Sequence, residues 1–106
     1  VHTIRVVFIS IPRDEANDMA RALVSERLCA CVNIVPKIES FYWWDGEVNH
    51  DDEALLIVKT TSDKFETLKE YVLENHPYDV PEIISMGLTE GYPEYLAWVK
   101  KEVEEG

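Results

Sequence analysis

The run Ala30-Cys31-Val32-Asn33-Ile34-Val35-Pro36, followed by Phe41-Tyr42-Trp43-Trp44-Asp45-Gly46-Glu47 and then by Leu55-Leu56-Ile57-Val58-Lys59-Thr60-Thr61, decides the fold of this chain. Two apolar runs separated by an aromatic cluster and an Asp-Gly pair describe one long β-hairpin, because Asp-Gly accepts the positive φ values that a tight primed turn requires. The pattern places the arms at Cys31 to Trp44 and Glu47 to Thr61, each well beyond the usual strand of about five or six residues. Pro36 has no amide hydrogen to give to a ladder, so it predicts a bulge or an edge position in the first arm.

Working outward, Val1 to Ile11 is apolar on both alternating sets, Ile4, Val6 and Phe8 against Val7, Ile9 and Ile11. That predicts a central strand covered on both faces. Pro12 ends it, and Asp14 caps or charge-complements a helix over Asp14 to Leu28, with Ala16, Met19, Ala20 and Leu23 at helical spacing. Beyond the hairpin, Ser62 or Asp63 is the expected cap of a second helix carrying Phe65, Leu68 and Val72. That helix stops near His76, because Pro77 disfavours helical geometry at the residue before it. Val80 to Leu88 reads as a fourth strand. Gly91 and Pro93 open a last helix with Tyr92, Leu96, Val99 and Val103 on one stripe. Its Glu102, Glu104 and Glu105 face the negative end of the helix dipole, which predicts a fraying tail. The order β-α-β-β-α-β plus a terminal helix is the α+β, ferredoxin-like arrangement, an antiparallel sheet with helices on one face.

With 106 residues the chain reads as one domain spanning 1–106. Its 21 acids against 10 bases give a net charge of -11, which repels a phosphate backbone and argues against nucleic acid as a partner. No run reaches the roughly 18 apolar residues of a membrane span, and no charged start with an apolar core marks export. The expectation is a cytoplasmic protein with no membrane contact. Cys29 and Cys31 are the two cysteines. Two residues apart, they are badly placed for an unstrained local disulfide, so free thiols are expected. Arms this long project beyond so small a body. Their rings, Phe41, Tyr42, Trp43 and Trp44, are then a liability unless another subunit covers them, which predicts an oligomer.

The residues able to carry chemistry are few. Cys31 is a thiol that Lys59, on the paired strand, would activate if the two came close; the alternative is a small core residue. His76, fixed before Pro77, is a candidate for ligation or proton transfer, the alternative being a bond to the last helical carbonyls. His2 and His50 read as solvated, and Asp51-Asp52-Glu53 as an exposed hairpin arm. No Cys or His pair has zinc spacing and no glycine-rich phosphate loop is present. A nucleophile such as Cys31 beside His76, oriented by Glu82 or Asp79, would make a thiol enzyme; this is the weakest reading, and no enzymatic activity is expected. A ligand cleft is expected to gather Cys31, Trp44, Lys59, His76, Tyr78, Glu82 and Trp98, with subunit packing as the alternative role for the tryptophans.

Several segments together carry a family resemblance. Ala30 to Pro36 gives Ala-Cys-Val-Asn-Ile-x-Pro, Tyr42, Trp44 and Gly46, or in the alternative register Trp43 and Asp45, give a Tyr-x-Trp-x-Gly segment, and Lys59-Thr60 follows. His76 to Glu82 gives His-Pro-Tyr-acid-x-Pro-Glu, and Tyr95, Leu96 and Trp98 close the pattern. In combination the chain resembles the CutA divalent-cation-tolerance family over nearly its whole length. The resemblance implies a homotrimer of ferredoxin-like subunits, assembled like the PII signalling proteins, with hairpins pairing across subunits. It further implies a role in divalent metal tolerance, copper in particular, with metal or a small ligand bound in intersubunit clefts and His76 as the metal ligand. The other reading it allows is a PII-like signalling or scaffold protein that recruits a protein partner, metal binding being incidental. Some members carry a Cys near the end of the first strand and two adjacent His before the Pro as copper ligands. Ile9, Asn75 and His76 stand there in this chain, so only His76 of that set remains, and weak binding is implied.

Overall fold

The computed structural model describes residues 3–104. Four strands, β1 (Ile4–Ile11), β2 (Cys31–Trp44), β3 (Glu47–Thr61) and β4 (Ile83–Gly87), form one antiparallel sheet in the order β2-β3-β1-β4. Helices α1 (Ala16–Ser25), α2 (Phe65–Asn75) and α3 (Pro93–Glu104) complete the ferredoxin-like α+β arrangement. Val1 and His2, included in the first strand by the sequence, lie outside the described residues, as does Glu105.

One face of the sheet holds the core. Val7, Ile9 and Ile11 of β1 and Leu56 and Val58 of β3 pack with Met19, Ala20 and Leu23 of α1 and Leu68 and Val72 of α2. The other face is covered in part. There α3 lies over β3 and β1, burying Val99 and Val103, while Val6 and Phe8 stay half-buried and Ile84 and Met86 are exposed. The double coverage expected for β1 is therefore incomplete, because one three-turn helix is too short to span the sheet.

The hairpin has the predicted bounds, and Pro36 behaves as its chemistry requires: β2 is an edge strand, and its register shifts between Val35 and Ile38. Asp45 (φ 53°) and Gly46 (φ 77°) make the two-residue turn, with Trp44 paired to Glu47. The arms stretch the molecule to 44 Å against 26 and 22 Å in the other directions.

Three boundaries differ from the sequence reading. The first helix ends at Ser25 instead of Leu28, because Arg27 adopts φ 58°. The amide of Leu28 donates to the carbonyl of Leu23 and that of Arg27 to Val24, a Schellman cap without glycine. Neither Ser62 nor Asp63 caps α2. The helix is entered from a 3₁₀ turn over Ser62–Lys64, and Arg13–Glu15 leads into α1 in the same way, leaving Asp14 near that N-terminus. The fourth strand, expected from Val80, begins at Ile83 and ends at Gly87, since Pro81 cannot donate to a ladder at its start. The last helix, α3, runs to Glu104, the end of the described residues, so the tail expected to fray reaches into Glu105 outside them; Arg27 Nη1 donates to the Glu102 carbonyl at 2.8 Å and to its carboxylate at 3.2 Å. A guanidinium there answers the negative end of the dipole.

Candidate functional site

Side chains alternate along each arm, and the two-residue turn fixes which of them meet. Glu39 lies opposite Asp52 and Phe41 opposite His50, so these four share one face of the hairpin. Ser40 lies opposite Asp51, Tyr42 opposite Asn49 and Trp44 opposite Glu47, so these share the other.

On the first face His50 stacks flat on Phe41, ring centroids 4.2 Å apart, and its Nε2 lies 3.1 Å from Glu39 Oε1. One ligand atom each from Glu39, His50 and Asp52 falls within 4.8 Å of the others, close enough to hold one metal ion, and all three residues are exposed. Among the described residues this is the one such group of His, Cys, Asp or Glu side chains. A borderline nitrogen with two carboxylate oxygens suits a divalent transition metal better than calcium or magnesium.

On the second face a cleft of about 720 Å³ opens between the arm and the segment after α2. Tyr42, Trp44 and Tyr78 supply aromatic walls, and Glu53, Asp79 and Glu82 supply carboxylates, while Glu39 and Phe41, whose side chains engage His50 on the first face, only border it. The Tyr42 hydroxyl donates to Asp51 Oδ2, and that of Tyr78 donates to Glu53 Oε2 at 3.0 Å. The bond to Asp51 holds the Tyr42 phenol above its ordinary pKa. Burial, then the bond to Glu53, raises that of Tyr78.

His76 lies beneath this cleft, only 8% exposed. Its Nε2 is 2.8 Å from the carbonyl oxygen of Ser10, and its Nδ1 accepts the amide hydrogen of Tyr78 at 3.1 Å. Those bonds assign the Nε2–H tautomer and use both ring nitrogens, so a metal ion at His76 would have to displace one of them. The ring bonds β1 and the following loop, where the sequence reading offered the last carbonyls of α2.

The remaining candidates form a separate group. Cys31 is paired with Lys59 across the base of the hairpin, and the Lys59 ammonium donates to Asn33 Oδ1. Tyr95 packs on Trp98, centroids 5.6 Å apart; burial first, then the charge interaction with Cys31, raises its phenol pKa. Cys29 is buried, and desolvation pushes its thiol from 9.0 up to about 12.

Of the seven residues expected in one cleft, Trp44, Tyr78 and Glu82 line it, and His76 supports it from below. Within one chain Cys31, Lys59 and Trp98 stand apart. Lys59 is six residues along β3 from Glu53, about 20 Å at the usual strand rise. The Glu39, His50 and Asp52 group escaped a search for ligand spacing along the chain, because its donors come from two strands. Counting back from the Asp45-Gly46 turn, where opposed residue numbers add to a constant, brings them together.

The family model described as CutA1 divalent ion tolerance protein matches residues 5–102. The divalent-cation tolerance protein CutA of Thermus thermophilus is 54% identical over 97 residues, covering 91% of this chain and 94% of that one. Its solved structure superposes with a TM-score of 0.91, covering 93% and 97% of the two chains at 51% identity. The chloroplastic CutA 1 of rice is 48% identical over 94% of this chain, which spans only 57% of that longer protein. A Nostoc structure described as a PII-like protein CutA has a TM-score of 0.89 at 33% identity, covering 93% of this chain and 96% of its own. Among the described residues no helix is long and apolar enough to cross a membrane.

Proposed function

The chain belongs to the CutA1 divalent ion tolerance protein family, and from that premise we propose that it works as a cytoplasmic homotrimer whose hairpin arms bind a divalent metal ion, copper above all. One observation carries the metal reading: an imidazole and two carboxylates, Glu39, His50 and Asp52, gathered within reach of a single ion. Copper(II) stands highest in affinity for such nitrogen and oxygen donors. Three exposed groups make a weak and reversible site, suited to buffering or sensing an ion rather than sequestering it permanently. The protein acts by binding and not by catalysis.

The assembly rests on a different feature. Trp43 is 75% and Phe41 68% exposed on the arm, and Ile84, Met86 and Trp98 are exposed on the second face of the sheet. Apolar area of this extent in so small a chain is stabilised by burial against further copies, at about 25 cal/mol per Å².

Light scattering across low micromolar concentrations is expected to give three protomers, and a stable monomer would end the trimeric reading. Calorimetric titration with copper(II) is expected to show binding that weakens about tenfold in His50→Ala. An unchanged isotherm would remove the arm as the metal site. The second reading, a PII-like scaffold recruiting a protein partner, draws on the Nostoc neighbour and the exposed aromatic rows. It predicts a stoichiometric complex that Trp43→Ala abolishes without changing metal affinity.

A further inference from the structure

We infer that the cleft between the arm and the Tyr78 loop takes an aliphatic polyammonium cation. The proposal is independent of the metal group on the opposite face, where the Glu39 carboxylate and the Phe41 ring engage His50. Its centre is Glu53, a carboxylate only 5% exposed. Its one side-chain partner is the neutral hydroxyl of Tyr78, and among the described residues no Lys, Arg or His is paired with it. A carboxylate removed from water without a counter-charge carries a desolvation cost that a bound cation offsets.

The rest of the lining points the same way. Asp79 and Glu82 join Glu53, and among the described residues no basic side chain lines the cleft. Its aromatic walls are Tyr42, Trp44 and Tyr78, whose ring faces attract alkyl-ammonium groups and pack against the methylenes between them. The acids are also distributed and not gathered: among the described residues Glu53, Asp79 and Glu82 belong to no group of three or more donors within one ion's reach. A compact metal ion therefore cannot meet all three carboxylates at once, whereas an extended chain with two or three ammonium groups can. The volume of about 720 Å³ accommodates a chain of that kind.

The test is calorimetric titration of the full chain with spermidine at physiological ionic strength. A net charge of -11 attracts any polycation loosely, so the variants decide. Glu53→Gln keeps the shape and an acceptor for Tyr78, and is expected to weaken binding about tenfold. Glu104→Gln, on an exposed helix end, is expected to leave it unchanged. Trp44→Ala, also at an exposed position, gives an independent arm with several-fold loss expected even if Glu53→Gln fails to fold. Equal weakening by the two glutamine variants would reduce the effect to a diffuse ion atmosphere and overturn the proposal. So would displacement by magnesium at equal charge concentration, or the absence of saturable binding, as when a neighbouring subunit fills the cleft.

Discussion

His76 Nε2 lies 2.8 Å from the carbonyl oxygen of Ser10, joining the end of α2 to β1 across 66 residues of sequence. The same ring accepts the Tyr78 amide, so one imidazole sets the path of the loop that carries Tyr78 and Glu82 to the cleft. His76→Ala leaves a buried carbonyl and an amide without partners. The expected cost is about 2 to 3 kcal/mol, from two lost hydrogen bonds plus the cavity. Urea unfolding measures it. A loss below about 0.5 kcal/mol, the scatter of ordinary surface changes, would show that the ring is not a structural tie.

Arg27 offers a sharper comparison, because its two roles respond to different substitutions. Its backbone sits at φ 58°, costly for a residue with a Cβ, while its guanidinium holds Glu102 of α3. Arg27→Ala loses the bonds and keeps the strain. Arg27→Gly loses the bonds and relieves the strain, so the glycine variant is expected to be the more stable by about 1 kcal/mol. The ion pair is partly exposed, and the carbonyl bond carries most of what both variants lose. Thermal unfolding of the pair decides it; an alanine variant as stable as the glycine one would mean that the positive φ costs nothing.

At the hairpin tip the conformational effect can be isolated. Gly46 has φ 77°, and a Cβ built there meets nothing within 4 Å. Gly46→Ala therefore adds strain without a clash, and its expected cost is about 1 kcal/mol. Cross-strand nuclear Overhauser contacts between Trp43 and Val48, an opposed pair, report whether the register survives. A register shift instead of a simple loss of stability would show that the turn alone does not set the pairing.

How much was legible follows from how local each determinant is. The arms and their turn were readable because Asp45-Gly46, Pro36 and the apolar runs state their geometry within a few residues. The end of α1 was not. Its left-handed cap is occupied by Arg27, and the compensation comes from Glu102 at the far end of the chain. The burial of His76 was hidden for the same reason, since its partner is Ser10. The expected cleft mixed two sites because sequence order says that Cys31 and Lys59 pair but not how far along the arm Glu53 and Tyr78 meet. The group at Glu39, His50 and Asp52 was legible in principle, through the register that the turn imposes.

The two cysteines are expected to separate under alkylation. Cys29 is buried and its thiol is pushed up to about 12, so almost none is thiolate near neutrality. Cys31 is half-exposed at the base of the hairpin. Iodoacetamide on the native protein is expected to modify Cys31 while Cys29 stays protected until unfolding, as peptide mass mapping reads. The raised Cys29 value also sets a sign. Below pH 9 both states keep this proton; above it the unfolded chain releases the proton first, so stability falls as pH climbs toward 12. Cys29→Ala is expected to flatten that decline, and an unchanged slope would place its cause elsewhere.

Tyr78 extends the alkaline behaviour to the cleft. Its phenol is raised above the ordinary value of 10.0, by burial first and by its bond to Glu53 second. Folded and unfolded chains are alike in protonation at this group below that value. Above it the unfolded phenol ionises while the folded one still donates to Glu53, so the folded state binds more protons and loses stability as pH rises. Tyr78→Phe removes both the bond and the linkage. The variant is therefore expected to be less stable than the parent near neutrality, with the gap narrowing between about pH 9 and pH 11. Tyr42 and Tyr95 are raised too, but they are common to both proteins and cancel in the comparison. Urea midpoints at the two pH values suffice. Parallel declines would mean that the Tyr78 hydroxyl titrates as a free phenol, and that its bond to Glu53 does not hold the carboxylate in solution.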